Sequence, residues 1–137
     1  QKWIDQAQSL NLYIANASHG NDGLDEISIT DKTFVTELKD GNLNQFEIQP
    51  EDFGLRRANI TALKAETPEE SLELINAAFE GKESPVQDMI SLNAGASLYL
   101  SSASNSIKEG VSLAKELLNN GKAKQTFSSY IEMTNSL

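Results

Sequence analysis

Helix-start signals outnumber strand signals in this chain, and that imbalance constrains the fold more than any other feature. Thr67-Pro68-Glu69-Glu70, Ser84-Pro85-Val86-Gln87 and Ser106-Ile107-Lys108-Glu109 each read as a capping box, in which a hydroxyl accepts from the N–H three residues on and the Glu or Gln reaches back. In the first two, Pro occupies the first helical position, where an N–H would have no partner anyway. Leu72, Ile75 and Phe79 form the stripe of the first of these helices, and Gly81 ends it. The next is apolar almost all round (Met89, Ile90, Leu92, Ala94, Ala96, Leu98, Leu100), which predicts the most buried element. Ile107, Val111, Ala114 and Leu118 share one face of the third, closed by Asn119-Asn120-Gly121, and a last helix carries Ala123, Phe127, Tyr130, Ile131 and Leu137.

The first half offers few strands to set against them. Trp3, Ala7 and Leu10 have helical spacing but no preceding cap, so sequence upstream is expected. Leu12 to Ala17 reads as a short apolar strand of the kind covered on both faces in a parallel sheet. A turn at Ser18 to Gly23 follows, and Ile27-Ser28-Ile29 reads as a brief strand. Thr33 to Lys39 and Leu43 to Ile48 form a hairpin about Asp40-Gly41, stopped by Pro50. One strand and one hairpin cannot cover so many helical faces. The expected fold is therefore α/β, a partial sheet covered by several helices, with 1–137 a portion of a larger α/β domain.

Composition excludes several functions. With 11 Lys and Arg against 20 Asp and Glu, the net charge of −9 argues against nucleic acid and against anionic membrane surfaces. There is no Cys and one His, so neither a thiolate nucleophile nor a Cys- or multi-His metal site is available. A cytoplasmic, reducing compartment is the expectation from the lack of Cys. Met89 to Ile107 is uncharged, but Asn93, Ser97, Ser101, Ser102, Ser104 and Asn105 interrupt it, so it is no membrane span. No G-x-S-x-G, P-loop or G-x-G-x-x-G is present.

Functional side chains are densest in His19-Gly20-Asn21-Asp22-Gly23-Leu24-Asp25-Glu26, directly after the apolar strand. Ligands of α/β sheets bind beyond the carboxyl ends of strands. Adjacent Asp25 and Glu26 offer hard oxygen donors of the kind Mg2+ takes together with water and phosphate. Turn chemistry alone also accounts for Asn, Asp and Gly here, so a solvated acidic turn stands beside the metal reading. The spacing is not that of an EF-hand. Arg56-Arg57 could meet an anion or simply face solvent. Asn93, in the most apolar helix, needs hydrogen-bond partners, and a structural tie to neighbouring backbone is the expected one.

The blocks His19-Gly20-x-Asp22-Gly23-Leu24-Asp25-Glu26-Ile27-Ser28, Glu37-Leu38-x-x-Gly41, Pro50-Glu51-Asp52-Phe53-Gly54-Leu55 and Gln87-Asp88-Met89-Ile90-x-Leu92-Asn93-Ala94 together resemble the C-terminal part of the anthranilate phosphoribosyltransferases. The resemblance runs along nearly the whole chain but covers less than half of the family's length. It implies transfer of a phosphoribosyl group from phosphoribosyl pyrophosphate to anthranilate, with Mg2+, in tryptophan biosynthesis. It implies that Asp25 and Glu26 hold the metal, that His19 and Gly20 border substrate, and that no catalytic residue lies in this stretch. It also implies a cytoplasmic homodimer formed through an N-terminal helical domain that this chain lacks. The family's G-T-G-G-D phosphate loop, its K-H-G-N segment and its anthranilate-contacting arginine region are absent as well, so the piece alone is expected to be inactive. Ala65-Glu66 and Ser71-Leu72 stand where the family has Gly-Gly and Asn-Ala. A nucleic-acid-binding relative and a pyrimidine nucleoside phosphorylase share the fold; the charge and the retained acidic pair speak against the former.

Overall fold

The computed structural model describes Lys2, Asp5, Gln6 and residues 14–136. Lys2, Asp5 and Gln6 are helical, and the Trp3, Ala7 and Leu10 stripe of the expected first helix lies outside the described residues. So do Leu12, Tyr13 and Leu137.

Three strands form one antiparallel sheet in the order β1 (Ile14–Gly20), β2 (Thr33–Lys39), β3 (Asn42–Ile48). The hairpin register places Leu38 opposite Leu43 and Thr33 opposite Ile48. Its turn has positive φ at both central residues, Asp40 (51°) and Gly41 (75°), which suits a two-residue hairpin whose twist matches its strands. β1 runs antiparallel to β2, with His19 opposite Phe34, so the parallel setting expected for this strand is not its relation to β2. The expected partial sheet, a strand plus a hairpin, is present. Its order reflects the loop of 12 residues (21–32) between β1 and β2, long enough to carry groups of its own and short enough to bring the chain straight back.

Ile27–Ile29 is not a strand. Its backbone partners are side chains and a distant loop: Asn93 bonds Ile27, Thr33 Oγ1 accepts from Ser28 N–H at 3.1 Å, and Ala58 N–H donates to Ile29 C=O at 3.0 Å. With those groups engaged, no ladder forms, although both isoleucines are buried as a strand pattern would require.

Four helices follow: α1 (Pro68–Phe79), α2 (Pro85–Leu100), α3 (Ile107–Asn119) and α4 (Lys122–Asn135). The caps form as read, with Thr67, Ser84 and Ser106 hydroxyls each accepting the N–H of the third residue on at 3.1 Å. The return halves differ. Glu70 accepts from Glu66 N–H and Glu109 from Asn105 N–H, one residue before the cap. Gln87 turns inward instead and donates to Asn119 Oδ1 at 3.1 Å, tying the start of α2 to the end of α3. Glu51-Asp52 completes the turn after Pro50, with Asp52 accepting from Gln49 N–H at 2.9 Å.

The core lies between the sheet and α2–α3. It joins Ile27, Ile29, Val35, Ile48 and Leu55 to Leu92, Ala96, Ile107 and Val111. α2 and α3 cross closely at Gly95 and Gly110: a Cβ on Gly95 would sit 2.5–2.7 Å from Val111 backbone and side-chain atoms. α2 is not the most buried element, as five of its 16 residues are buried against four of seven in β2. Leu92 is wholly buried, but Ile90, Ala94 and Leu98 line an open apolar groove with Phe79, Leu117 and Leu118. α4 uses only part of its apolar stripe. Phe127 stacks on Phe79 with centroids 5.1 Å apart, while Tyr130 and Ile131 stay exposed.

Candidate functional site

The acidic turn of residues 21–30 is folded around one carboxylate. Asp22 accepts from Leu24 N–H at 3.2 Å, from Ser28 Oγ at 2.5 Å and from the Thr30 hydroxyl. Partial burial would raise its pKa, but these bonds together outweigh it and hold the carboxyl below its ordinary value. Gly20 lies against it: a Cβ there would meet the Asp22 carboxylate, which would have to shift out of these hydrogen bonds. Gly20 N–H donates to Leu24 C=O at 2.7 Å, which closes the turn.

A second acid is also engaged. Asp31 accepts from Asn21 at 2.7 Å, from Lys32 N–H at 2.8 Å and from Arg57 at 2.7 Å; these contacts lower its pKa, the Asn21 bond contributing most. Arg57 further grips Glu51 and Gln49, and the bond to Arg57 lowers the Glu51 carboxyl. The anion-binding option for this guanidinium is therefore closed by its own neighbours.

Asp25 and Glu26 are different. Both are exposed, and among the described residues neither carboxylate has a hydrogen bond or ion pair. Both border a cavity of about 200 Å3 lined also by Ser18, Ile27, Asn93 and Ser97. Glu26 reaches the edge of a second, apolar groove of about 400 Å3 with Leu24, Ile60, Leu63 and Met89. Among the described residues no three His, Asp or Glu converge as a metal cage. The donor set is a pair of hard oxygens with open sides, which suits a cation that keeps water and phosphate in its shell.

The other expected residues fall around this pair. Gly20 is buried at the end of β1, where its role is to let Asp22 close in. His19 lies on β1 with its backbone paired to Phe34; its side chain lies outside the described residues. Asn93 makes the structural tie expected of it, and makes it to this loop: Oδ1 accepts from Ile27 N–H at 3.0 Å, and Nδ2 donates to Ile27 C=O at 2.9 Å and Met89 C=O at 3.0 Å. The loop-closing role of Asp22 was not read from the sequence. The signal was Ser28 and Thr30, hydroxyls six and eight residues on, too distant in sequence for an Asx-turn rule to connect.

A three-stranded sheet covered by helices, with a turn that engages Asp22 and Asp31 and leaves Asp25 and Glu26 exposed beside a cavity, is a portion of an α/β domain. Residues 6–124 match the glycosyl transferase family, a/b domain, and the chain belongs to that family. It is 43% identical over 129 residues to the anthranilate phosphoribosyltransferase of Methanobrevibacter smithii, covering 94% of this chain and 38% of that protein. The enzyme of the same name from Acidovorax sp. is 41% identical over 95% of this chain. Among solved structures, anthranilate phosphoribosyltransferase from Thermus thermophilus superposes with a TM-score of 0.81 at 32% identity, covering 94% of this chain and 38% of that one. The Saccharomyces cerevisiae enzyme, solved in complex with PRPP and Mg, does so with a TM-score of 0.77 at 28% identity, over 89% of this chain and 35% of that one. The chain thus spans less than two fifths of the length of these relatives. No helix among the described residues is long and apolar enough to cross a membrane.

Proposed function

We propose that residues 1–137 are the C-terminal portion of the α/β domain of an enzyme that moves a phosphoribosyl group from phosphoribosyl pyrophosphate to anthranilate, in the cytoplasm and as a homodimer. The similarity to enzymes of that name along 94% of the chain supports the reaction. The single observation that supports the site is the freedom of Asp25 and Glu26, next to each other at a cavity, where the other acids of the turn are tied down.

In this reading Asp25 and Glu26 hold Mg2+, which when bound neutralises charge building on the departing pyrophosphate. Asp22, Ser28 and Thr30 keep the turn in one shape. Gly20 allows that turn to close, and the end of β1 with His19 and Gly20 borders the substrate. The 137 residues alone do not turn over, because two carboxylates without phosphate-binding donors repel a polyphosphate ester.

Replacing the pair in the full-length enzyme (Asp25→Asn with Glu26→Gln) should lower turnover more than about tenfold, since charge stabilisation by a metal is worth several kcal/mol. Steady-state kinetics at limiting Mg2+ is the measurement. Unchanged rates there would remove the metal role from these residues.

A further inference from the structure

We propose that Asn93 is a positioning residue for the acidic pair: by bonding both backbone groups of Ile27 it sets the direction in which Asp25 and Glu26 leave the loop, and so their affinity for a divalent cation. The inference rests on the reading of the pair given above and adds to it the residue that orients it.

The geometry is specific. The peptide between Glu26 and Ile27 is one rigid plane, so holding the Ile27 N–H also holds the Glu26 carbonyl and the place of the Glu26 Cα, from which its side chain springs. Asn93 holds that N–H at 3.0 Å and returns a bond to the Ile27 carbonyl at 2.9 Å, so the side-chain amide takes the place of a neighbouring strand. Its remaining amide hydrogen bonds Met89 C=O one turn back on α2, which fixes the side chain's own rotation. Ile27 is 6% exposed, so water does not offer its backbone an easy substitute.

On the C-terminal side of the pair, Thr33 and Asp22 reach only as far as Ser28, through its N–H and its hydroxyl, and Asn93 alone bonds Ile27 itself among the described residues. Asp22 folds the turn on the N-terminal side of Asp25, through Leu24. Asn93 anchors the residue immediately after Glu26 to a 16-residue helix whose Leu92 and Ala96 lie in the core. Groups that orient metal ligands without touching the metal are commonly worth 10–100-fold in affinity.

The test uses the full-length enzyme and Mn2+ as the probe. Paramagnetic broadening of backbone amide NMR signals is followed through a Mn2+ titration. In the unaltered chain, broadening should centre on Asp25 and Glu26. Asn93→Ala should weaken the titration about tenfold. Asn93→Ser, which stays polar and can keep a bond to the preceding helical turn, should weaken it in the same direction and serves where the alanine variant unfolds. Leu118→Val is the control, a truncation of a buried side chain outside the core cluster that contains Ile27, which lowers stability without altering the packing of that residue. It should leave the titration where it was. Asn93 variants that bind Mn2+ like the unaltered chain would overturn the positioning role while the acidic pair stood. Equal weakening by Leu118→Val would overturn it too, because stability alone would then explain the loss. No centred broadening in the unaltered chain would overturn the reading of the pair itself, and this role with it.

Discussion

Replacing Gly95 by Ala sets two known effects against each other, and the crossing of α2 and α3 decides the sign. In an open helix the change stabilises by about 1 kcal/mol, because Ala costs less backbone entropy. At this site the added Cβ would stand 2.5 Å from Val111 N, 2.6 Å from its Cγ2 and 2.7 Å from its Cα. Comfortable contact needs about 3.5 Å, so the helices must part by roughly 1 Å. Two of the three obstructing atoms are backbone and cannot rotate aside. Overpacking of this kind costs typically about 1–3 kcal/mol, and a backbone clash belongs at the upper end. The net expectation is a loss of about 2 kcal/mol. Gly110→Ala meets the Gly95 carbonyl from the other side and should behave alike. Urea unfolding followed by circular dichroism reads the effect as a lower midpoint at unchanged slope. A midpoint equal to or above that of the unaltered chain would show that the two helices do not approach as closely as described.

Asp22 makes the turn sensitive to acid. Its folded-state pKa is lowered, so its contribution is complete above the unfolded value of about 3.9 and falls away as pH drops through the lower folded value. Amide protection at Leu24 should therefore fade on the acid side, and Asp22→Asn should flatten that pH dependence relative to the unaltered chain; parallel profiles for the two would contradict the assignment. Asp31 and Glu51 titrate in the same direction, which is why the comparison with the Asn variant is the informative one. Ser106→Ala removes the hydroxyl that accepts Glu109 N–H and should cost about 1 kcal/mol in thermal or urea unfolding, with no loss expected only if the cap does not form.

Local rules served well where the partner atoms are close in sequence. The caps of α1, α2 and α3 appear where Ser or Thr precedes Pro or Ile, because a hydroxyl and an N–H three residues on are neighbours in any helix start. The hairpin appears because Asp40-Gly41 accepts the positive φ the turn demands. The acidic pair was legible as a pair, since adjacency needs no fold. The same rules failed at Ile27–Ile29, whose apolar alternation is that of a strand while its bonding partners, Asn93 and Ala58, lie 66 and 29 residues away in sequence. They failed at Gln87, read as a cap member but drawn inward by Asn119.

The chain's residues by themselves determined where helices begin, where the hairpin turns and which acids stand side by side, because each depends on groups a few positions apart. Only the tertiary structure decided which acids are free. Asp22, Asp25, Glu26 and Asp31 are alike as text; the distant placement of Arg57 and the folding back of Ser28 and Thr30 engage two of them and leave Asp25 and Glu26 open, with Asn93 holding the backbone beside them.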